Sequence, residues 1–217
     1  MQYKAVIFDL DGTLLDTLDD LADSLNQVLL AKGFPPHPLD RYRYLVGNGA
    51  ATLVSSALPP EKRCPELEAQ CLEAFQENYN NNWNRKTKPY PGITELLDSL
   101  SAMDLKLAVF TNKIQHFAEL CIKEFLTDWE FAKILGQTDG IPLKPDPTGP
   151  LEIARCLEIT PQEFLYLGDS DVDMITAVKA KMFPVGALWG FRPKKELIEA
   201  GAQELIEKPT ELLKFIR

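Results

Sequence analysis

The chain has 217 residues and a formal net charge of -9, with 45% hydrophobic and 25% charged residues. This composition is that of an ordinary globular protein, large enough for one domain or for a domain with an insertion. The negative charge argues against a nucleic-acid or anionic-membrane partner, and no apolar stretch approaches the ~20 residues of a membrane span. The N-terminal segment also lacks the pattern of a signal peptide, so we expect a cytoplasmic protein.

The first informative segment is an apolar run, Ala5–Phe8, which is followed by Asp9, Asp11 and Gly12. The run predicts a strand. Two ionised carboxylates at the mouth of a strand repel each other, unless they bind a hard cation or act as a nucleophile beside an acid or base. An ordinary turn is the alternative, because Asp and Gly are common residues in loops.

The region after this motif shows helical patterns. Apolar residues repeat on one face over residues 18–29, and a second long helix is predicted over residues 66–80. We interpret residues 16–85 as a helical insertion in a core formed by residues 1–15 and 86–217.

From residue 93 onward, apolar runs of strand length alternate with helical patterns. Strands are predicted over residues 105–110, 131–135, 164–167 and 184–188. Such alternation predicts an α/β core with a parallel sheet and helices packed on its faces. Ligands bind beyond the carboxyl ends of the strands in such sheets, and the polar motifs of this chain fall at those ends.

Two of these motifs lie in the second half of the chain, at Thr111 and Lys144. Thr111 ends a buried run, where it either caps the following helix or donates its hydroxyl group to a phosphoryl oxygen. Lys144 is followed closely by Pro145 and Pro147, which restrict the backbone around it. A lysine fixed in this way is a candidate clamp for an anion or a carboxylate.

The last motif, residues 168–173, contains three aspartates. It does not fit a calcium loop of the EF-hand type, because the required glycine and the closing glutamate are absent. An acidic helix N-terminus explains one or two of the aspartates. Taken together, the acidic residues of the chain need a cation, and the lysine and the hydroxyl group need an anion. Mg²⁺ with a phosphate satisfies both requirements.

Four motifs occur along the chain in the order Asp9-Leu10-Asp11-Gly12-Thr13, Thr111-Asn112, Lys144-Pro145 and Gly168-Asp169 through Asp173. This ordered set resembles the four motifs of the haloacid dehalogenase-like superfamily. The resemblance covers nearly the whole chain, because the helical insertion falls where that superfamily has its helical cap domain. It implies a Rossmann-like doubly wound α/β core with an inserted all-helical cap domain, and phosphatase activity. Asp11 argues against a dehalogenase, because true dehalogenases lack this second aspartate.

The resemblance also implies roles for individual residues. Asp9 is expected to be the nucleophile that forms an aspartyl-phosphate, and Asp11 the general acid and later the general base. Mg²⁺ is expected to be bound by Asp9, by the backbone carbonyl of Asp11 and by Asp169, with Asp173 bound directly or through water. The residues expected to bind the phosphoryl oxygens are Thr111, Asn112 and Lys144.

Two loops suggest the substrate. Gly47-Asn48-Gly49 precedes a predicted helix and exposes backbone N–H groups that suit a small anion, although an ordinary turn is the alternative. This segment resembles the cap loop of phosphoglycolate phosphatases, and residues 187–192 resemble their late core loop. We therefore expect 2-phosphoglycolate or a similar small phosphorylated metabolite as substrate, with Arg43 as a candidate partner for its carboxylate.

Three alternatives stay open at this point. The first is a phosphosugar mutase of the same superfamily, and the second is a phosphatase of nucleotides, pyrophosphate or sugar phosphates. The third is a binding or regulatory protein without turnover, which is disfavoured because Asp9 and Asp11 are both present. We expect a monomer or a homodimer, with no nucleic acid and no membrane as partner.

Overall fold

The computed structural model describes residues 3–103 and 105–216. The elements before residue 90 are β1 (Ala5–Phe8), β2 (Leu15–Asp16), α1 (Leu18–Ala31), α2 (Leu39–Leu45), α3 (Ala50–Ala57), α4 (Pro65–Asn80) and β3 (Lys88–Pro89). The later elements are α5 (Ile93–Ser101), β4 (Lys106–Ile114), α6 (Gln115–Phe125), β5 (Lys133–Gln137), α7 (Thr148–Leu157), β6 (Phe164–Gly168), α8 (Asp171–Lys179), β7 (Phe183–Ala187), α9 (Lys194–Glu199) and β8 (Glu204–Ile206).

The core is a six-stranded parallel sheet with the strand order β5-β4-β1-β6-β7-β8. The first strand lies between β4 and β6, so that Phe8 is aligned with Val109 on one side and with Leu167 on the other. Strands of a parallel sheet are covered on both faces, which explains why they appear in the sequence as continuous apolar runs. The predicted doubly wound α/β fold is confirmed.

Successive strand residues are buried on opposite faces of this sheet. Val6 and Phe8 belong to a cluster that includes residues of α5 and α6. Ile7 and Tyr166 belong to a second cluster, which includes residues of α7 and α8. Both faces are therefore apolar and covered by helices, and polar side chains are left for the ends of the strands.

The fourth strand differs from its prediction in length. It was expected over residues 105–110, but β4 continues to Ile114, with its register to β5 shifted between Phe110 and Ile114. The polar residues Thr111, Asn112 and Lys113 are buried in this extension. Because the polar groups of these residues form hydrogen bonds and an ion pair inside the protein, the strand continues beyond the end of the apolar run. The sequence analysis also missed β8 and the short strands β2 and β3.

Four helices, α1 to α4, lie between β2 and β3 and share a buried apolar cluster. The antiparallel pairing of β2 with β3 aligns Leu15 with Pro89 and Asp16 with Lys88, so the chain enters and leaves this helical region at one place. The all-helical insertion is confirmed, while its boundaries at residues 16 and 85 stay a prediction.

Asp20, in the first turns of α1, joins the two ends of the helical region. Its side chain is buried, and its Oδ2 atom accepts hydrogen bonds from the Thr87 hydroxyl at 2.7 Å and from the Thr87 N–H at 2.8 Å. The Lys86 N–H donates to both carboxylate oxygens at 3.0 and 3.1 Å. The start of α1 is therefore fastened to the segment that returns to the core.

Within residues 3–103 and 105–216, no helix has the length and apolar character needed to cross a bilayer. The longest helix of this part of the chain, α4, has 16 residues. The expected cytoplasmic location and the expected monomeric or homodimeric state stay predictions.

Candidate active site

The predicted motifs meet at the carboxyl end of the sheet. Asp9 directly follows β1, and its backbone N–H donates a hydrogen bond of 2.9 Å to Leu167 O in the neighbouring strand β6. Gly12 then turns the chain with a φ of +88°, and a Cβ atom at this position would lie only 2.4 Å from the Asp169 carboxylate. A glycine is therefore required here for two independent reasons, the backbone conformation and the close approach.

Three aspartates form a buried carboxylate cluster: one oxygen from each of Asp9, Asp169 and Asp173 lies within 4.8 Å of the others. Their exposed fractions are 6%, 1% and 0%. Asp169 accepts hydrogen bonds from the Thr13 hydroxyl at 3.0 Å and from the Phe191 N–H at 2.7 Å. These bonds hold Asp169 in place, and the loop after β7 is attached to the cluster through Phe191.

Asp173 is fixed by the start of its own helix. It lies at the third position of α8, where it accepts hydrogen bonds from the N–H and the hydroxyl of Ser170 in a capping box. Such a cap satisfies two donors at a helix N-terminus. The sequence motif therefore combines a structural role for one oxygen of Asp173 with a role in the cluster for the other.

Lys144 is the cation of this cluster. Its Nζ atom lies 2.7 Å from both Asp9 Oδ1 and Asp173 Oδ1, and its side chain is buried. The backbone around it is held by Asn112, whose Oδ1 accepts from the Lys144 N–H at 2.8 Å and whose Nδ2 donates to Gly47 O at 2.8 Å. Burial alone lowers the pKa of Lys144, but Asp173 and Asp9 raise it above its usual value, so the lysine is charged.

The cluster holds three carboxylates against one ammonium group. Burial, followed by the nearby Asp173, raises the pKa of Asp9 well above its usual value, although Lys144 lowers it. The same two causes raise the pKa of Asp169 to about 7. Lys144 Nζ lies 2.7 Å from Asp9 Oδ1 and 2.7 Å from Asp173 Oδ1, so one ammonium group is shared by two of the three carboxylates. Oxygen ligands with excess negative charge are what a divalent cation requires.

Asp11 lies apart from the carboxylate cluster, although it is only two residues from Asp9. Its two oxygens lie 2.9 and 3.2 Å from Lys113 Nζ, which also donates a hydrogen bond of 2.8 Å to the Tyr79 hydroxyl of α4. Burial alone lowers the pKa of Lys113, but Asp11 and Tyr79 raise it above its usual value. The two motif aspartates are thus separated into two sites, each with its own buried lysine.

Lys113 is a site residue that the sequence analysis missed. The signal available was a lysine beside Thr111 and Asn112, one position before the apolar Ile114. Such a lysine is usually a solvated charge beyond the end of a strand, and only the continuation of β4 buries it.

A cavity of about 60 Å³ lies between the sheet and the helical region. It is lined by Asp9, Asp11, Leu21, Val46, Gly47, Gly49, Ala50, Leu53, Phe75, Tyr79, Thr111, Asn112, Lys113, Ile114, Phe117 and Lys144. The predicted phosphate-binding residues and both predicted cap-loop glycines are therefore in one place. Arg43 and Asn48 are not among the described residues that line this cavity.

Two arginines connect the end of α2 with the loop after β7. Arg43 donates a hydrogen bond of 3.0 Å to Gly190 O, and Arg192 donates one of 3.0 Å to Val46 O. The two bonds run in opposite directions between the end of α2 and the loop after β7. In this structure Arg43 therefore joins the helical region to the core and does not line the cavity.

Known proteins are similar to this chain in sequence and in fold. Residues 6–187 match the family model described as haloacid dehalogenase-like hydrolase. A protein of Psychrobacter arcticus named phosphoglycolate phosphatase is 31% identical, over 100% of this chain and 96% of its own length. One of the same name from Agrobacterium fabrum is 36% identical, over 85% of this chain and 80% of its own length.

Solved structures give the same result. A crystal structure from Lactobacillus delbrueckii subsp. bulgaricus is 30% identical with a TM-score of 0.93, covering 100% of this chain and 99% of that one. Another, described as a predicted phosphoglycolate phosphatase from Haemophilus somnus, is 28% identical with a TM-score of 0.91 and the same coverage. The chain therefore belongs to the haloacid dehalogenase-like hydrolase family, in the group of phosphatases that resembles the phosphoglycolate phosphatases.

Proposed function

We propose that the protein is an Mg²⁺-dependent phosphomonoester hydrolase that acts through an aspartyl-phosphate on 2-phosphoglycolate or a similar small phosphorylated metabolite. The observation that carries the proposal is the pair of adjacent sites, in which Asp9 lies beside Asp169, Asp173 and Lys144, while Asp11 lies beside Lys113. One site suits a metal and a phosphoryl group, and the other suits the departing alcohol. The relatives named phosphoglycolate phosphatase support the choice of substrate.

The residues present fit a magnesium ion. Asp9, Asp169 and Asp173 each offer a carboxylate oxygen to the buried cluster, and Asp169 is held in place by two hydrogen bonds. Mg²⁺ prefers such oxygen ligands together with substrate phosphate and water. When bound, the ion would neutralise charge on the phosphoryl oxygens and on the carboxylates. The backbone carbonyl of Asp11 is the remaining ligand that we propose.

The chemistry then follows from the positions of the side chains. Asp9 attacks phosphorus and forms a covalent phosphoenzyme, which divides one difficult displacement into two easier ones. Lys144 and the Thr111 hydroxyl bind the phosphoryl oxygens, where charge stabilisation largely decides the rate of phosphoryl transfer. Asp11 acts in its protonated form: it gives that proton to the departing oxygen, and it is protonated again when it takes a proton from the water that hydrolyses the aspartyl-phosphate.

The size of the cavity favours a small substrate. Its volume of about 60 Å³ holds only a few water-sized groups beside the sheet. The leaving group of a nucleoside monophosphate or a hexose phosphate exceeds this space and would have to extend through the open side of the cavity. A two-carbon leaving group needs less room.

Phosphate release with Mg²⁺ is the direct test, measured on 2-phosphoglycolate, sugar phosphates, nucleoside monophosphates and pyrophosphate. We expect the highest kcat/KM for 2-phosphoglycolate, no release in EDTA, and none from the Asp9→Asn variant with an unchanged circular dichroism spectrum. Asp9→Asn at a near wild-type rate would sink the covalent mechanism. Little phosphate release by the wild type, together with sugar phosphate isomerisation that needs a bisphosphate activator, would identify a phosphosugar mutase instead.

A further inference from the structure

We infer that Lys113 recognises a carboxylate on the leaving group of the substrate, and so determines specificity for phosphoesters of small hydroxy acids. The inference rests on the proposed function, because it takes Asp11 as the group that protonates the departing oxygen. It gives the Asp11 site a second role, in which Lys113 selects the leaving group that Asp11 protonates.

Distance is the first argument. The departing oxygen must come within hydrogen-bond reach of Asp11, and Lys113 Nζ lies 2.9 Å from the Asp11 Oδ1 atom. In an ester of a 2-hydroxy acid, a single carbon atom separates the departing oxygen from the carboxylate. A carboxylate attached to that carbon therefore falls beside Lys113 when the oxygen is beside Asp11.

Charge is the second argument. Among the described residues that line the cavity, Lys113 and Lys144 are the cations. Lys144 lies 2.7 Å from two carboxylates, whereas Lys113 has one carboxylate partner, Asp11, and the neutral Tyr79 hydroxyl. Lys113 is thus the cation with less negative charge around it, and it is on the leaving-group side. An incoming carboxylate is attracted to this site more than to the other.

The walls around Lys113 provide the third argument. The helical region contributes Leu21, Leu53 and Phe75 to the cavity, and α6 contributes Phe117. Hydroxyl groups of a neutral polyol would be buried against these apolar side chains without hydrogen-bond partners, which costs free energy. A carboxylate avoids this cost because Lys113 supplies both charge and donors.

The start of α3 adds a second electropositive feature. Gly49, its N-cap, and Ala50 line the same cavity, and the glycine places no side chain over the first N–H groups of the helix. A Cβ atom on Gly49 would lie 3.7 Å from Asn112 O, so the N-terminus of α3 is next to the strand that carries Lys113. Backbone N–H groups and the helix dipole favour an anion at this position. The carboxylate is expected between Lys113 and the first turn of α3.

The test compares two substrates of nearly equal shape, 2-phosphoglycolate and the neutral 2-phosphoglycolamide. We expect the wild type to prefer the carboxylate in kcat/KM. In Lys113→Met, this preference should fall on the order of 30-fold, as expected when one partner of a buried charge pair is removed. Lys113→Arg is the matched control, and it should retain most of the preference because it keeps the charge. The ratio is the readout because altered contacts to Asp11 affect both substrates.

Each outcome decides between the hypotheses. Equal losses for both substrates in Lys113→Met would show that the lysine only holds Asp11, and would overturn the inference while leaving the phosphatase function intact. A wild type without preference for the carboxylate would overturn it without any variant. Release of phosphate from other phosphoesters but not from 2-phosphoglycolate would instead refute the proposed substrate. If Lys113→Met does not fold, Lys113→Gln is compared in the same way.

Discussion

Asp20 provides a sharp test of how the helical region is attached to the sheet. Replacing it with alanine removes the acceptor of the Lys86 N–H, the Thr87 N–H and the Thr87 hydroxyl. The Asp20 side chain is only 2% exposed, so water cannot easily replace it. We therefore expect Asp20→Ala to lower the free energy of unfolding.

The expected loss follows from these contacts. An unsatisfied buried donor costs about 1–3 kcal/mol, and three donors lose a charged acceptor here. Because the local backbone relaxes and recovers part of this cost, we expect a total of about 3–5 kcal/mol. Such a loss is a large part of the stability of an ordinary domain, which is about 5–15 kcal/mol.

The measurement is urea denaturation followed by circular dichroism, with Asp23→Ala as the control. Asp23 lies on the same helix and its carboxylate is 2.8 Å from Lys86 Nζ, but its side chain is 52% exposed. Exposed ion pairs contribute about 0–1 kcal/mol, so this variant should be nearly as stable as the wild type. If the two variants differ by less than about 1 kcal/mol, the argument that Asp20 fastens the helical region is refuted.

Two further predictions concern the carboxylate cluster. Gly12→Ala should raise the Mg²⁺ concentration needed for half-maximal activity by about 10- to 100-fold, because its Cβ displaces Asp169. Gly33 also has a positive φ, but no atom lies within 4 Å of a Cβ built at this position, so Gly33→Ala should leave this Mg²⁺ concentration unchanged. Equal effects of the two variants would contradict the steric argument. In EDTA, the melting temperature should fall as the pH rises from about 4 toward 7. The raised pKa of Asp169, about 7, means that the native protein keeps a proton over this range, whereas the same carboxyl group in the unfolded chain has lost it. Mg²⁺ should remove this fall, and Asp169→Asn should reduce it while leaving the part that comes from the raised pKa of Asp9. A melting temperature that rises over this range in EDTA would contradict the prediction.

The strands of the core could be predicted because a parallel sheet buries both faces. The runs over residues 164–167 and 184–188 are apolar throughout, and they correspond to β6 and β7 within one residue at each end. The last strand, β8, has only three residues at the edge of the sheet, and Glu204 in it is exposed. A run so short and so mixed in polarity carries no periodic signal.

The candidate site was predictable to the extent that its residues lie at strand ends. Asp9 and Asp169 come together because parallel strands end at one edge of the sheet, and Lys144 reaches them from the loop between β5 and α7. The contact of Lys113 with Tyr79 depends instead on how α4 packs against β4, and a single sequence does not specify the distance between two elements in different parts of the chain. For the same reason, the hydrogen bond from Arg192 to Val46 O could not be predicted from the sequence.

The pairing of Leu15 with Pro89 and of Asp16 with Lys88 has a consequence for how this chain can change. Because the entry and the exit of the helical region are neighbours, helices of another length or number can be exchanged there without moving β1 or β4. Closing a longer loop at such a point costs little, since each doubling of its length adds only about 0.6 kcal/mol. Changes in the helical region can therefore alter which leaving group fits the cavity, while the residues at the end of the sheet, which bind the phosphoryl group, stay unchanged.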